Sequence, residues 1–356
     1  MIPTVLRRQG SRIRSYGFIL LVVAAIVVVL ALVLAAGGFD VSTAFGALLR
    51  GAGGSTYAVF SATLVRAIPL IFTGLAVAIA FQCGILNIGA EGQLLAGAAA
   101  AAATALALGE SLGGGAVVLG MIAAALAGAA WAAVPALLRR RFGVLEVIST
   151  IMMNFVALYG VGYLVRGPLQ EPTHIYPQSA SIPEATRLPM LLSGTRLHAG
   201  FVLAIVVVII AWYVLRFTAA GFRLRVVGAN PEAAASAGKI RVSSVVTRAF
   251  LASGVLAGIA GGVEVYGVTY ALYENLSPGY GYTAIVVALL AGLQPAYIVV
   301  SSVFLGALEA GAASMQREVG VPLAFVSVVE AMIILAIVGG RVIVSRRQRP
   351  PAEAGA

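Results

Sequence analysis

With 356 residues, 61% of them hydrophobic and only 10% charged, and a mean hydropathy of +1.02, the chain has too little polar surface for a water-soluble globule. It reads as an all-α polytopic membrane protein whose first partner is the lipid bilayer. One cysteine, Cys83, excludes an internal disulfide, and two histidines, His174 and His198, leave no cluster for a metal. The formal charge of +10 is spread over short loops between apolar runs, which is a topology signal and not a nucleic-acid surface.

A basic segment, residues 1–16 with Arg7, Arg8, Arg12 and Arg14, precedes an apolar run over 17–36. That run has the length of a spanning helix and exceeds a signal-peptide core, so it is kept as an uncleaved first helix. Further apolar stretches follow at 57–81, 84–108, 115–137, 144–165, 199–216, 248–270, 281–294, 296–314 and 322–340. The expectation is a transmembrane domain over 17–340 with about ten helices, followed by a tail over 341–356. The two stretches around the Gln294-Pro295 step are short, and either is a candidate half-helix.

Orientation follows from the basic residues. With the N-terminus in the cytoplasm, the inside segments hold the four N-terminal arginines, Arg139 to Arg141, the group from Arg216 to Arg248, and Arg341, Arg346, Arg347 and Arg349. Only Arg50, Arg66, Arg166, Arg187, Arg196 and Arg317 fall outside, so both termini are expected in the cytoplasm.

The stretch Gly84-Ile85-Leu86-Asn87-Ile88-Gly89-Ala90-Glu91-Gly92-Gln93 places polar side chains at the head of a long run of Ala and Leu. A charge near the bilayer centre costs about 2.5–3.5 kcal/mol on insertion scales. Asn87 and Glu91 are four apart and so are expected to share a helix face, whereas Gln93 points elsewhere. Two readings stand: these side chains tie helices together by hydrogen bonds, or they belong to a transport pathway. Asn154, mid-span, and Glu264, inside its own span, belong to the same class, and Glu146, Glu309 and Glu330 are expected to avoid lipid as well.

Two loops are long. The external one, 166–198, is rich in Pro, which favours order without regular structure; it is either a solvated connector or a docking surface. The cytoplasmic one, 217–247, contains Gly228-Ala229-Asn230-Pro231-Glu232-Ala233-Ala234-Ala235-Ser236-Ala237-Gly238. Asn230 is a good N-cap, Pro231 suits the first helical position, Glu232 complements the dipole, and Gly238 is placed to end the helix. Such a two-turn helix needs something to pack against, either its own protein or a groove on another subunit. Faint similarity between the regions around 78–91 and 288–309 suggests two weakly related halves.

The single Gly-Lys pair, Gly238-Lys239, is followed by Ile240, so no phosphate-cradling loop is present. There is no nucleophile elbow and no His-Glu-x-x-His pair. The chain is not expected to be an enzyme or to bind a cofactor.

Asn87-Ile88-Gly89-Ala90-Glu91-Gly92-Gln93, the loop from Gly221 to Gly238, and Gly279-Tyr280-Gly281-Tyr282-Thr283 through Gly292 resemble motifs of permease subunits of bacterial ATP-binding-cassette importers. The resemblance covers about residues 60–340 and is nearest the nucleoside-type branch of the sugar, nucleoside and branched-chain amino acid group. It implies an alternating-access permease for nucleosides, with a pentose or hexose as the other substrate class. It also implies a second permease (a heterodimer), an ATPase subunit carrying ATP and Mg, and an external substrate-binding lipoprotein. Asn87, Glu91, Gln93, Asn154 and Glu264 are then the candidate pathway residues. Gly228, Asn230, Pro231, Glu232, Ala233, Ala234 and Gly238 form the candidate coupling helix. A proton-driven carrier with Glu91 and Glu264 as relay is the reading from a different class.

Overall fold

The computed structural model describes residues 27–236, 238, 240–322, 328, 331 and 332. Among these the regular structure is helical, with no strand beyond isolated bridges. The helices are α1 (Val27–Ala36), α2 (Val41–Gly53), α3 (Ala58–Gln82), α4 (Ala90–Leu112), α5 (Gly114–Phe142) and α6 (Glu146–Arg166). They continue as α7 (Gly200–Phe217), α8 (Ala219–Ala229), α9 (Pro231–Ser236), α10 (Val242–Thr269), α11 (Tyr280–Leu290) and α12 (Pro295–Val319). Seven of them, α3 to α7, α10 and α12, are long and apolar enough to cross a membrane.

One expected span differs, and two others lie partly or mostly outside the described residues. The run at 281–294 is a helix of only 11 residues, stopped by a turn in which Gly292 and Leu293 both have positive φ. The first apolar run is described only from Val27 onward, and most of 322–340, including Glu330, lies outside the described residues.

The contacts divide the chain into two units, one comprising residues up to Gly54 and from Leu308, the other Ser55–Ala307. In the first, Asp40 caps α2 by accepting from the Thr43 amide at 2.6 Å. The Thr43 and Ser42 bonds hold the Asp40 carboxyl down at about 2. Leu30, Leu34, Ala44, Ala47 and Met315 form its core, and Arg50 pairs with Glu318 at 2.6 Å.

The second unit is built around α3, which is largely apolar and correspondingly buried. Beside it, α10 carries Gly254, Gly258 and Gly262 at four-residue spacing, with Gly261 next to the last. These small residues let α4 and α5 approach to backbone contact. Gly258 abuts Gly97 and Ala124, Gly254 abuts Gly128, and Gly261 abuts Leu94. Without a hydrophobic force between helices in lipid, such close small-residue seams supply the packing. The outward faces of α5, α6 and α7 keep Leu119, Ile122, Leu126, Ile148, Ile209 and Ile210 exposed, as a lipid-facing surface requires.

The 166–198 loop has only a 3-10 turn at Glu184–Thr186 and isolated bridges, yet it is tied down. Ser179, Ile182 and Leu188 donate their amides to the carbonyls of Leu272, Tyr270 and Tyr266. Glu171 gathers the Thr173 hydroxyl, the Gln178 amide and the Tyr176 N–H, and its carboxyl is held below the usual range, chiefly by Thr173.

Candidate functional site

The stretch around Asn87 lies at a break between two membrane helices. α3 ends at Gln82, Gly84 turns the chain with φ +74, and residues 85–88 run without regular structure before α4 starts at Ala90. Asn87 therefore precedes the helix, and it does not share a helix face with Glu91. Its Oδ1 accepts from the Gly89 amide at 2.9 Å, closing a local turn into α4.

This position brings Gln93 back onto Asn87, against the expectation that it points away. The two carboxamides exchange bonds of 3.3 Å in both directions, and Asn87 Nδ2 also donates to Ser253 Oγ on α10 at 2.9 Å. Asn87 and Gln93 are both buried.

Asn154 on α6 closes the other side. Its Oδ1 accepts from the Gly92 amide at 2.8 Å, and its Nδ2 donates to the Ile88 carbonyl at 2.9 Å and the Tyr282 hydroxyl at 3.2 Å. One turn earlier, Thr150 Oγ1 accepts from the Ile88 amide at 3.3 Å. A single asparagine thus joins α6, α4, the irregular segment and α11.

Glu91 lies in the first turn of α4, nearly buried, and its Oε2 accepts the Gly281 amide at 2.7 Å. Gly281 leaves no room for a side chain, because a β-carbon there would collide with the backbone of Glu91. The carboxylate therefore stands between two helix N-termini, α4 and α11, whose free N–H groups favour a negative group. Ser277 Oγ caps the same α11 turn by accepting from Gly279 and Tyr280.

Glu264 does not join this cluster. It is 11 residues beyond Ser253 on α10, roughly 16 Å along the helix axis. It is buried, with Arg196 and Arg66 as the cations acting on it. Near it His198 is fully buried, its Nδ1 accepting from the Gly200 amide at 3.2 Å, its ring against Gly267 in the π-turn that ends α10. Burial, and then Arg196, hold His198 down to about 4, so it is neutral. Glu146 pairs with Arg139 at 2.8 Å, and Glu309 is partly buried.

Tyr266 is fully buried and donates to the Ala101 carbonyl at 2.8 Å, which makes it a packing residue. Tyr270 carries Arg187 over its ring at 4.7 Å, and Phe155 remains exposed. The sequence reading missed Ser253, Thr150 and Tyr282. Only the hydroxyls of Ser253 and Thr150 inside apolar helices marked them in advance.

The 217–247 segment forms α8 and α9. Asn230 Oδ1 caps α9 by accepting the Glu232 and Ala233 amides at 3.0 and 2.9 Å, Pro231 is its first residue, and Gly238 follows with φ +69. Glu232 and Ala233 are exposed. Ala234 instead turns inward among Ala80, Cys83, Ile85, Val227 and Phe250, so it anchors the helix and presents no outward surface. Gly228, at the end of α8, lies against the Gln82 carbonyl in the turn that opens the polar segment. On its far side that turn meets the one after α11, where Gln82 Nε2 donates to the Leu293 carbonyl.

Residues 59–338 match the family described as the permease component of the branched-chain amino acid transport system. The chain belongs to this family. It is a multi-pass membrane permease subunit of an ATP-binding-cassette transporter. The permease is 38% identical over 312 residues to the guanosine ABC transporter permease protein NupP of Bacillus subtilis, covering 86% of this chain and 88% of the relative. It is 36% identical over 343 residues to the glucose ABC transporter permease protein TsgB13 of Haloferax volcanii, covering 93% and 89%. It is 31% identical over 281 residues to the nucleoside ABC transporter permease protein NupB of Lactococcus lactis, covering 76% of each.

Proposed function

We propose that the permease carries nucleosides across the bacterial plasma membrane by alternating access, driven by ATP hydrolysed on a separate subunit. The observation that carries this reading is the run of contacts from α9 to the polar junction. The exposed residues Glu232 and Ala233 stand on a capped helix whose neighbour, α8, bears on Gln82 through Gly228. From that turn the chain passes in a few residues to Asn87, Glu91 and Gln93. A push on α9 from an ATPase would therefore reach the junction by backbone contact. The junction in turn holds α4, α6, α10 and α11 in one arrangement, which is the kind of two-state element that alternating access requires.

The nucleoside substrate is supported by the guanosine and nucleoside permeases among the relatives. A hexose is the second reading, favoured by the glucose permease, which aligns over 93% of the chain. ATP-driven import takes the place of the proton-driven carrier. The partners in this reading are the ATPase with its ATP and Mg, a second permease making a heterodimer, and an external binding lipoprotein. Asn87, Glu91, Gln93 and Asn154 support the pathway at one level and Glu264 at another.

The topology in this proposal has about ten crossings or half-crossings with both termini in the cytoplasm. To the seven long helices it adds the runs at 17–36 and 322–340 and the short α11 as a half-helix. The loop over 166–198 is then external and 217–247 cytoplasmic, with 1–16 and 341–356 as tails. Two related halves are supported by the meeting of the turns after α3 and α11. Uptake of labelled guanosine, uridine and glucose by cells with and without the gene tests the substrate. Nucleoside uptake lost on deletion and on ATP depletion is the expected result. Glucose uptake alone would move the substrate to sugars, and loss only on collapse of the proton gradient would overturn the ATP-driven reading.

A further inference from the structure

α7 leaves its membrane span at Phe217, and after the single residue Thr218 the chain turns into α8. Trp212, Tyr213 and Phe217 are exposed there and packed on one another, with ring centroids at 5.2 and 5.6 Å from Phe217. An exposed aromatic group at a span's end marks the level where acyl chains give way to headgroups.

At this level a cleft of about 190 Å³ opens between the last turn of α7, the first turns of α8 and the start of α10. Its wall is apolar, with Ile79, Leu215, Leu224 and Val245 among the lining residues. It is larger than the roughly 150 Å³ apolar cavity that accepts a benzene-sized guest in a soluble protein. Arg223 and Arg248 also line it, and both are exposed. Among the described residues neither guanidinium forms a hydrogen bond or an ion pair. Arg225 nearby does not share this freedom, because its guanidinium is tied to the Leu215 carbonyl.

We propose that this cleft binds an anionic phospholipid, with part of an acyl chain against the apolar wall and the headgroup phosphate between Arg223 and Arg248. Charge complementarity selects this occupant. Two uncompensated guanidinium groups at headgroup level attract a net negative lipid, whereas a zwitterionic one gains little from them. A free phosphate ion would leave the apolar wall uncovered. The bound lipid would also brace α8, the helix whose last turn bears on Gln82.

The test is native mass spectrometry of the full-length permease, purified in mild detergent with the subunits that accompany it, titrated with phosphatidylglycerol or phosphatidylcholine. Phosphatidylglycerol is expected to bind the more tightly. The double variant R223A/R248A should weaken it by roughly thirtyfold while leaving phosphatidylcholine unchanged. A220W, which fills the cleft from an exposed position, should lower retention of both lipids. Unchanged phosphatidylglycerol binding in R223A/R248A, or equal binding of the two lipids by the wild type, would overturn the proposal. So would full competition by inorganic phosphate. If A220W sheds the ATPase subunit but keeps the lipid, the cleft faces a protein partner and the assignment is wrong.

Discussion

Gly228, in the last turn of α8, lies against the carbonyl oxygen of Gln82 so closely that no side chain fits between them. This contact links the segment bearing α9 to the break between α3 and α4. Gly228→Ala places a β-carbon into that carbonyl and forces the two apart, a repacking that costs about 1–3 kcal/mol. We expect the variant to insert and purify normally but to lose about tenfold in uptake, since about 1.4 kcal/mol suffices for that factor. Wild-type uptake by Gly228→Ala would show that the contact transmits nothing.

The carboxamide network makes a prediction about stability. Replacing Asn154 by Leu removes its bonds to Gly92, Ile88 and Tyr282 at once. A double-mutant cycle on Asn87 and Gln93 should give a coupling energy of about 0.6–1.7 kcal/mol, the range for interhelical hydrogen bonds in membranes. Asn154→Leu should lower the apparent Tm more than either single change at that pair. Additive effects of Asn87→Ala and Gln93→Ala would mean that the two amides act separately.

Glu91 separates charge from hydrogen bonding. Glu91→Gln keeps an acceptor for the Gly281 amide, whereas Glu91→Ala leaves that N–H buried and unpaired at a cost of about 1–3 kcal/mol. The glutamine variant should assemble at wild-type levels and the alanine variant at clearly reduced levels, as read by membrane abundance and detergent thermostability. Equal abundance of the two would place the value of Glu91 in its charge alone. Loss of transport in both, with assembly preserved in the glutamine variant, is the outcome expected of a pathway group.

Much of this was legible in the chain because glycine, proline and asparagine carry local instructions that do not depend on the rest of the fold. Asn230, Pro231 and Gly238 specified α9 and its ends, and α9 is found there. The partnership of Asn87 with Gln93 was hidden, because it depends on where α4 begins. In a run of Gly, Ala and Ile, helical periodicity does not distinguish residues 85–88 in an irregular segment from the first turn of the helix. The inward direction of Ala234 was hidden for a related reason. A helix of small residues has no apolar stripe, and only the buried cluster it joins, with Ile85, Val227 and Phe250 among its members, decides which side is covered.

His198 supplies a pH dependence. Its ordinary value of 6.5 falls to about 4 in the fold, so the unfolded chain binds the proton more readily than the folded one. Its stabilising contribution is therefore present above about pH 6.5 and is lost as the pH falls toward 4, up to about 3 kcal/mol. His198→Gln, which keeps an acceptor for the Gly200 amide, should lose less stability over that range when thermal unfolding is followed in detergent. Parallel pH curves for the two proteins would contradict the burial argument.

The most direct test of the central claim is reconstitution of the permease with its ATPase and second permease in proteoliposomes, with binding protein supplied outside and labelled guanosine as cargo. The account predicts that guanosine accumulates only with ATP, and that Glu232→Lys with Ala233→Trp, on the exposed face of α9, abolishes both accumulation and substrate-stimulated ATP hydrolysis. Accumulation that survives those substitutions, or that follows a proton gradient without ATP, would contradict it.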